Sequence, residues 1–170
     1  GGGVNLAGNA IGNQDNVDAG WTARKDGAYD GGLAGASDTL ADVAAYYYKT
    51  DLRTAGAKAA DNVPTTNNDP ATHQHMNTST LGLGVQGLLN YTRDYATNSS
   101  SDFNKIKTGT TGCSWITGTC NWPVPAQNAP TALDDLCHAA VNGRGTYFSA
   151  SDPKSVQKGL EDALKPLSID

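Results

Sequence analysis

Apolar residues are sparse along most of this chain and gather into periodic runs in a few places. Leu40, Val43, Ala44 and Tyr47 fall at helical spacing and predict a helix over 37–49. Ser37 is a plausible N-cap there, and Lys49 sits in the last turn, where its charge suits the dipole. In 76–85, Leu81, Leu83 and Val85 alternate with Gly82 and Gly84, the pattern of a strand that another backbone approaches closely. A helix is expected over 86–97, with Leu88, Tyr91 and Tyr95 on one face, and Phe103 and Ile106 mark one more helical turn. Thr131 then opens an amphipathic helix. Thr131 and Asp134 have capping-box spacing, Leu133, Leu136, Cys137 and Ala140 face inward, and Gly143 fits the C′ stop. Thr146–Ala150 reads as a strand. Asp152 and Pro153 suit the N-cap and N1 of a last helix, whose buried side is Val156, Leu160, Ala163, Leu164 and Leu167.

Strand, helices, strand, helix is the order of a parallel sheet with helical crossovers. The fold class expected is α/β: a partial doubly wound, Rossmann-like arrangement of parallel strands, helical crossovers and long loops. Two parallel strands do not make a stable sheet alone. Either strands escape this reading or polypeptide outside the chain completes the sheet, and the second is the expectation. Residues 1–36 read as an irregular Gly/Asn-rich loop region, which Trp21 and Tyr29 could pin to the body. Residues 50–75 are loop, and 108–130 form a long excursion.

Composition narrows the function classes. The 170 residues suffice for one domain with a core. The net charge is −5 and the Lys and Arg residues are scattered, so no nucleic-acid footprint is expected. A low charged fraction with abundant Gly, Ala, Asn, Thr and Ser is common in secreted bacterial proteins. No apolar run approaches about 18 residues, so no membrane-spanning helix is expected. The chain opens in a glycine loop without Met or a signal-like block, which reads as a fragment or a processed product.

Candidate chemistry is thin. Cys113 and Cys120 bracket a short hydrophilic loop and read as a local disulfide; the alternative is two free loop thiols in a reducing compartment. Cys137, on the apolar face of its helix, reads as a small core residue. Asp15, Asn16 and Asp18 lie in a glycine-rich loop and are weak Ca²⁺ candidates; their spacing is not that of an EF-hand, and solvated turn residues are the alternative. His73 and His75 could share a metal but lack an evident third ligand, and His138 reads as at least partly exposed on its helix. Asp134 and Asp135 point apart and read as first-turn acids. GLGVQG, with Gly82, Gly84 and Gly87, matches the dinucleotide fingerprint after a strand and before an expected helix, but no acidic residue closes a second strand about 20 positions later. Sequons at Asn77, Asn90 and Asn98 would mean little in a bacterial protein.

The stretches SDTLADVAAYYYKTDLR (37–53), QHMNTSTLGLGVQG (74–87) and TALDDLCHAAVNGRGTYFSASDPKSVQKGL (131–160) resemble the PilY1 (PilC-type) family of type IV pilus biogenesis and tip-adhesin proteins. The order strand, helix, glycine stop, YF strand and ASDP helix resembles the end of a von Willebrand factor A domain. That resemblance implies that 37–167 is the C-terminal half of such a domain, with the disulfide loop as an insertion at 108–130. It implies a non-enzymatic role in pilus assembly and surface adhesion through protein–protein contacts. The implied partners are pilus proteins such as minor pilins, a host or surface ligand, and the rest of its own domain. The implied location is extracellular or on the bacterial surface, at the pilus tip or outer membrane. The DxSxS loop of a metal-binding A domain is absent, so no metal ligand of the family maps onto these residues, and Mg²⁺ or Ca²⁺ is expected only from an upstream half. A nucleotide-binding α/β enzyme using Gly82, Gly84 and Gly87 is the competing expectation.

Overall fold

A computed structural model describes residues 3–15, 36–56, 59–83, 86–149 and 153–164. The elements run α1 (Leu40–Lys49), β1 (Thr78–Gly82), α2 (Asp102–Thr108), α3 (Thr131–Asn142), β2 (Arg144–Ser149) and α4 (Pro153–Leu164). Among the described residues, β1 and β2 pair in parallel as a two-stranded sheet, with Leu81 opposite Phe148 and Gly82 opposite Ser149. The molecule is thus α/β, with α3 packed on both strands and on α1, and α4 packed on β2.

The cap of α1 differs from the expected one. Thr39, not Ser37, is the N-cap: its hydroxyl accepts from Asp42 N–H, and Asp42 returns the bond to Thr39 N–H. Asp135 of α3 takes the next two amides, accepting from Leu40 N–H at 3.0 Å and Ala41 N–H at 3.2 Å. Every amide orphaned by the first turn therefore has a partner. The inward face is also rotated. Ala41, Ala44, Ala45 and Tyr48 are buried, while Leu40 is exposed. Alanines let α1 approach α3 closely at Ala139, where leucine would hold the helices apart.

The expected helix over 86–97 is a series of bends and turns. The Asn90 amide, which a helix would direct to Gln86 O, donates to Asp102 instead, and Leu88 and Leu89 donate to Asp134. Asn98 and Ser101 then bond locally in the manner that favours turns and caps. That use of Asp134 removes the expected capping box at Thr131. The N-cap of α3 is Pro130, and Thr131 accepts from Ala126 N–H instead. At its other end the positive φ falls on Arg144 rather than Gly143. Glycine is needed at 143 for closeness: a Cβ would come within 2.5 Å of the Thr78 side chain.

The main core gathers Tyr95, Phe103, Ile106, the Cys113–Cys120 pair, Trp122, Cys137 and Tyr147. Cys137 is buried, and burial pushes its thiol up. Of the expected inward row of α4, Val156 is half-buried, whereas Leu160 is 47% exposed and Leu164 58%. The Asp152 cap, Ala150 and Leu167 lie outside the described residues, as do Trp21 and Tyr29.

Candidate functional site

The two faces of the sheet differ. Thr80 and Tyr147 face α3: the Thr80 hydroxyl donates to Leu136 O at 2.6 Å, and Tyr147 packs in the core. Strand alternation places Leu81, and Leu83 just beyond β1, on the opposite face. There α4 covers β2, so Phe148 is buried, but Leu81 is 41% exposed and Leu83 70%. Leu160 and Leu164 of α4 are likewise large apolar side chains left exposed.

The two edges differ as well. Beyond β2, Tyr147 N–H donates to the Tyr95 hydroxyl at 3.1 Å, and Tyr147 O accepts from the Tyr91 hydroxyl at 3.0 Å. Two phenols occupy the edge groups that a further strand would use, so β2 ends the sheet on that side. Burial, and next the neighbouring Cys137, push the Tyr95 hydroxyl up, and burial pushes that of Tyr147 to about 12, so both stay neutral phenols in the core. Tyr91 and Tyr95 were expected as one apolar helix face, and no local signal announces their edge role.

The candidate ligands of the sequence are consumed internally. Asp15 is buried and accepts from Asn142 Nδ2 at 3.1 Å; its other neighbour is His138 Nε2 at 3.2 Å. His138 is 2% exposed, contrary to expectation, and stacks on Trp122 with ring centres 4.5 Å apart. Asn16 and Asp18 lie outside the described residues. His73 caps α1, its Nε2 lying 2.9 Å from Tyr48 O. His75 places Nδ1 2.7 Å from His73 O and Nε2 3.0 Å from Asp69. The ring is thus held between a backbone carbonyl and a carboxylate. Burial would raise Asp69, but bonds from Asn77, His75 and Tyr48 outweigh it and hold the carboxyl below its ordinary value. Among the described residues no group of three or more His, Cys, Asp or Glu could hold a metal ion.

In the glycine loop, Gly84 lies outside the described residues. A Cβ on Gly87 would overlap the Asp134 carboxylate, and one on Gly82 the Tyr147 hydroxyl. The amides that would cradle a phosphate in a fingerprint loop here donate to Asp134, at 2.8 Å from Leu88 and 3.1 Å from Leu89. No helix follows, so the context the fingerprint requires is missing. Burial raises the Asp134 carboxyl despite these two bonds. Asp134 and Asp135 do point apart, but each bonds backbone of another segment rather than serving its own helix.

Cys113 and Cys120 form a disulfide with Cα atoms 5.7 Å apart, closing the loop in which Thr111 and Thr119 bridge. Trp115 Nε1 donates to Asn121 O at 2.9 Å and holds the loop against the core. No helix among the described residues is long and apolar enough to cross a membrane.

No family model and no solved structure matches the chain. Curated relatives from Pseudomonas aeruginosa do, each described as type IV pilus biogenesis factor PilY1. That of strain PAO1 is 35% identical over 150 residues, 79% of this chain. Those of strains PAK and UCBPP-PA14 are 34% and 31% identical over 78% of it. The chain spans 12% of the length of each relative. Identity at this level along most of its residues makes the chain a PilY1-type region.

Proposed function

We propose that the chain is a non-enzymatic module of a type IV pilus biogenesis factor at the bacterial surface, supporting pilus assembly and adhesion through protein–protein contacts. Its similarity to PilY1 carries the pilus assignment. The exposed Leu81 and Leu83 support the contact role, because neighbouring large apolar side chains on one sheet face form a patch of the kind that polypeptide covers. The best occupant is the rest of the same domain. With β2 closed by Tyr91 and Tyr95, further strands have the open edge of β1 to pair with, as in the C-terminal half of a von Willebrand factor A-type domain. In this reading the domain bears force or serves as a scaffold, and the Cys113–Cys120 loop resists extracellular stress. Any Mg²⁺ or Ca²⁺ belongs to the upstream half. The occupied amides at Leu88 and Leu89 disfavour the nucleotide-binding alternative.

The test is in-frame removal of residues 37–164 from the protein in its own bacterium, with its secreted level followed by immunoblot. Loss of surface pili at an unchanged protein level is expected. Normal piliation and normal surface attachment would overturn the assignment.

A further inference from the structure

A groove of about 300 Å³ lies between α2, the turn at 93–97 and the start of β2, apart from the sheet face described above. Arg93, Lys107 and Arg144 line it with a single carboxylate, Asp94, over Tyr95 and Phe103. The concentration of positive charge is local, because the chain as a whole carries −5. Arg93 and Lys107 are exposed, stand on different elements and have no ion-pair partner among the described residues. Arg144 is held to one side, its guanidinium 5.0 Å from the centre of the Tyr48 ring. Asp94 bonds the side chains of Thr92 and Asn98, which favours its ionised form, and its one negative charge leaves the lining net positive.

We propose that this groove docks an acidic peptide segment of a partner protein, with carboxylates spaced along the peptide pairing with Arg93 and Lys107. Cations on two elements suit charges distributed along a chain better than one phosphate, which a single cluster of amides or a bidentate clamp would hold. Tyr95 and Phe103 close the floor as buried core residues, so recognition in the groove rests on charge. The assignment is independent of the pilus role, since it is read in a purified system and the pilus role by piliation.

The probe is fluorescein-labelled octaglutamate, titrated with the full chain and followed by anisotropy. Saturable binding is expected, weakened by raising salt from ~50 to ~200 mM. Arg93→Glu/Lys107→Glu is expected to weaken it at least about tenfold, because like charges then face each other. Arg93→Ala/Lys107→Ala, which introduces no repulsion, is expected to give an intermediate loss, with circular dichroism confirming the fold of both. A neutral Ser/Gly peptide of equal length is expected not to bind. Absence of octaglutamate binding would overturn the proposal, as would binding unchanged in the charge-reversed variant or shared by the neutral peptide.

Discussion

Removing the hydroxyl of Tyr95 tests whether phenols close the edge of β2. Tyr95 is 5% exposed, and its oxygen is the acceptor for Tyr147 N–H. Phenylalanine keeps the ring packed on Phe103 but leaves that amide where water does not reach. An orphaned buried donor costs about 1–3 kcal/mol. Tyr91 is only half-buried, so water can replace its hydroxyl, and Tyr91→Phe is expected to cost about 0.5–1 kcal/mol. Because both serve the backbone of Tyr147, their effects should couple rather than add. For a chain of this size, Tyr95→Phe then lowers Tm by roughly 2–12 °C. Urea unfolding gives the free energy, and hydrogen exchange at the Tyr147 amide locates it. The reasoning fails if Tyr95→Phe stays within about 0.5 kcal/mol of the parent and the Tyr147 amide keeps its protection.

Gly145→Ala would drive a Cβ into the Thr78 carbonyl, a backbone atom that cannot swing aside, and is expected to cost about 1–3 kcal/mol in urea unfolding. Cys113→Ser/Cys120→Ser opens a loop of sequence separation 7 and should cost about 2.5 kcal/mol in the chain-entropy model, read from the urea midpoint against the oxidised parent. Thr39→Ala removes one half of the α1 capping box and should cost about 1 kcal/mol by the same assay. The lowered Asp69 carboxyl contributes stability that is present above the ordinary value of 3.8 and is lost as pH falls through its folded value. Asp69→Asn should therefore flatten the fall in urea midpoint below about pH 4, and an equally steep fall in the variant would exclude Asp69 as a source.

The elements with strong local signals were legible. Helices α1, α3 and α4 and both strands lie within a few residues of where periodicity, Pro153 and the glycine stop at 143 put them. What failed was set by distant partners. Residues 86–97 have a helical stripe at Leu88, Tyr91 and Tyr95, but the Asn90 amide, which a helix would direct to Gln86 O, goes to Asp102, and Asp134 from α3 takes the amides of Leu88 and Leu89. The burial of His138 depends on Asp15 and Trp122, and a helix reading of its own neighbours gives no sign of either. The alanine face of α1 was passed over for larger residues because periodicity weighs size, whereas closeness to α3 rewards smallness. The apolar rows at Leu81, Leu83, Leu160 and Leu164 were legible as apolar but not as uncovered.

Asp135 completes the first turn of α1 from 95 residues downstream, and Asn142 bonds one oxygen of Asp15 from 127 residues downstream. During synthesis, therefore, the amino-terminal segment emerges long before the groups that complete it. Helix α1 has an unfinished end and Asp15 an unpaired carboxylate until α3 leaves the ribosome. Folding must close these long loops before their contacts repay the lost chain entropy, which makes it slow and late. This segment thus stays open until α3 emerges, and its final shape is decided by Asp135 and Asn142.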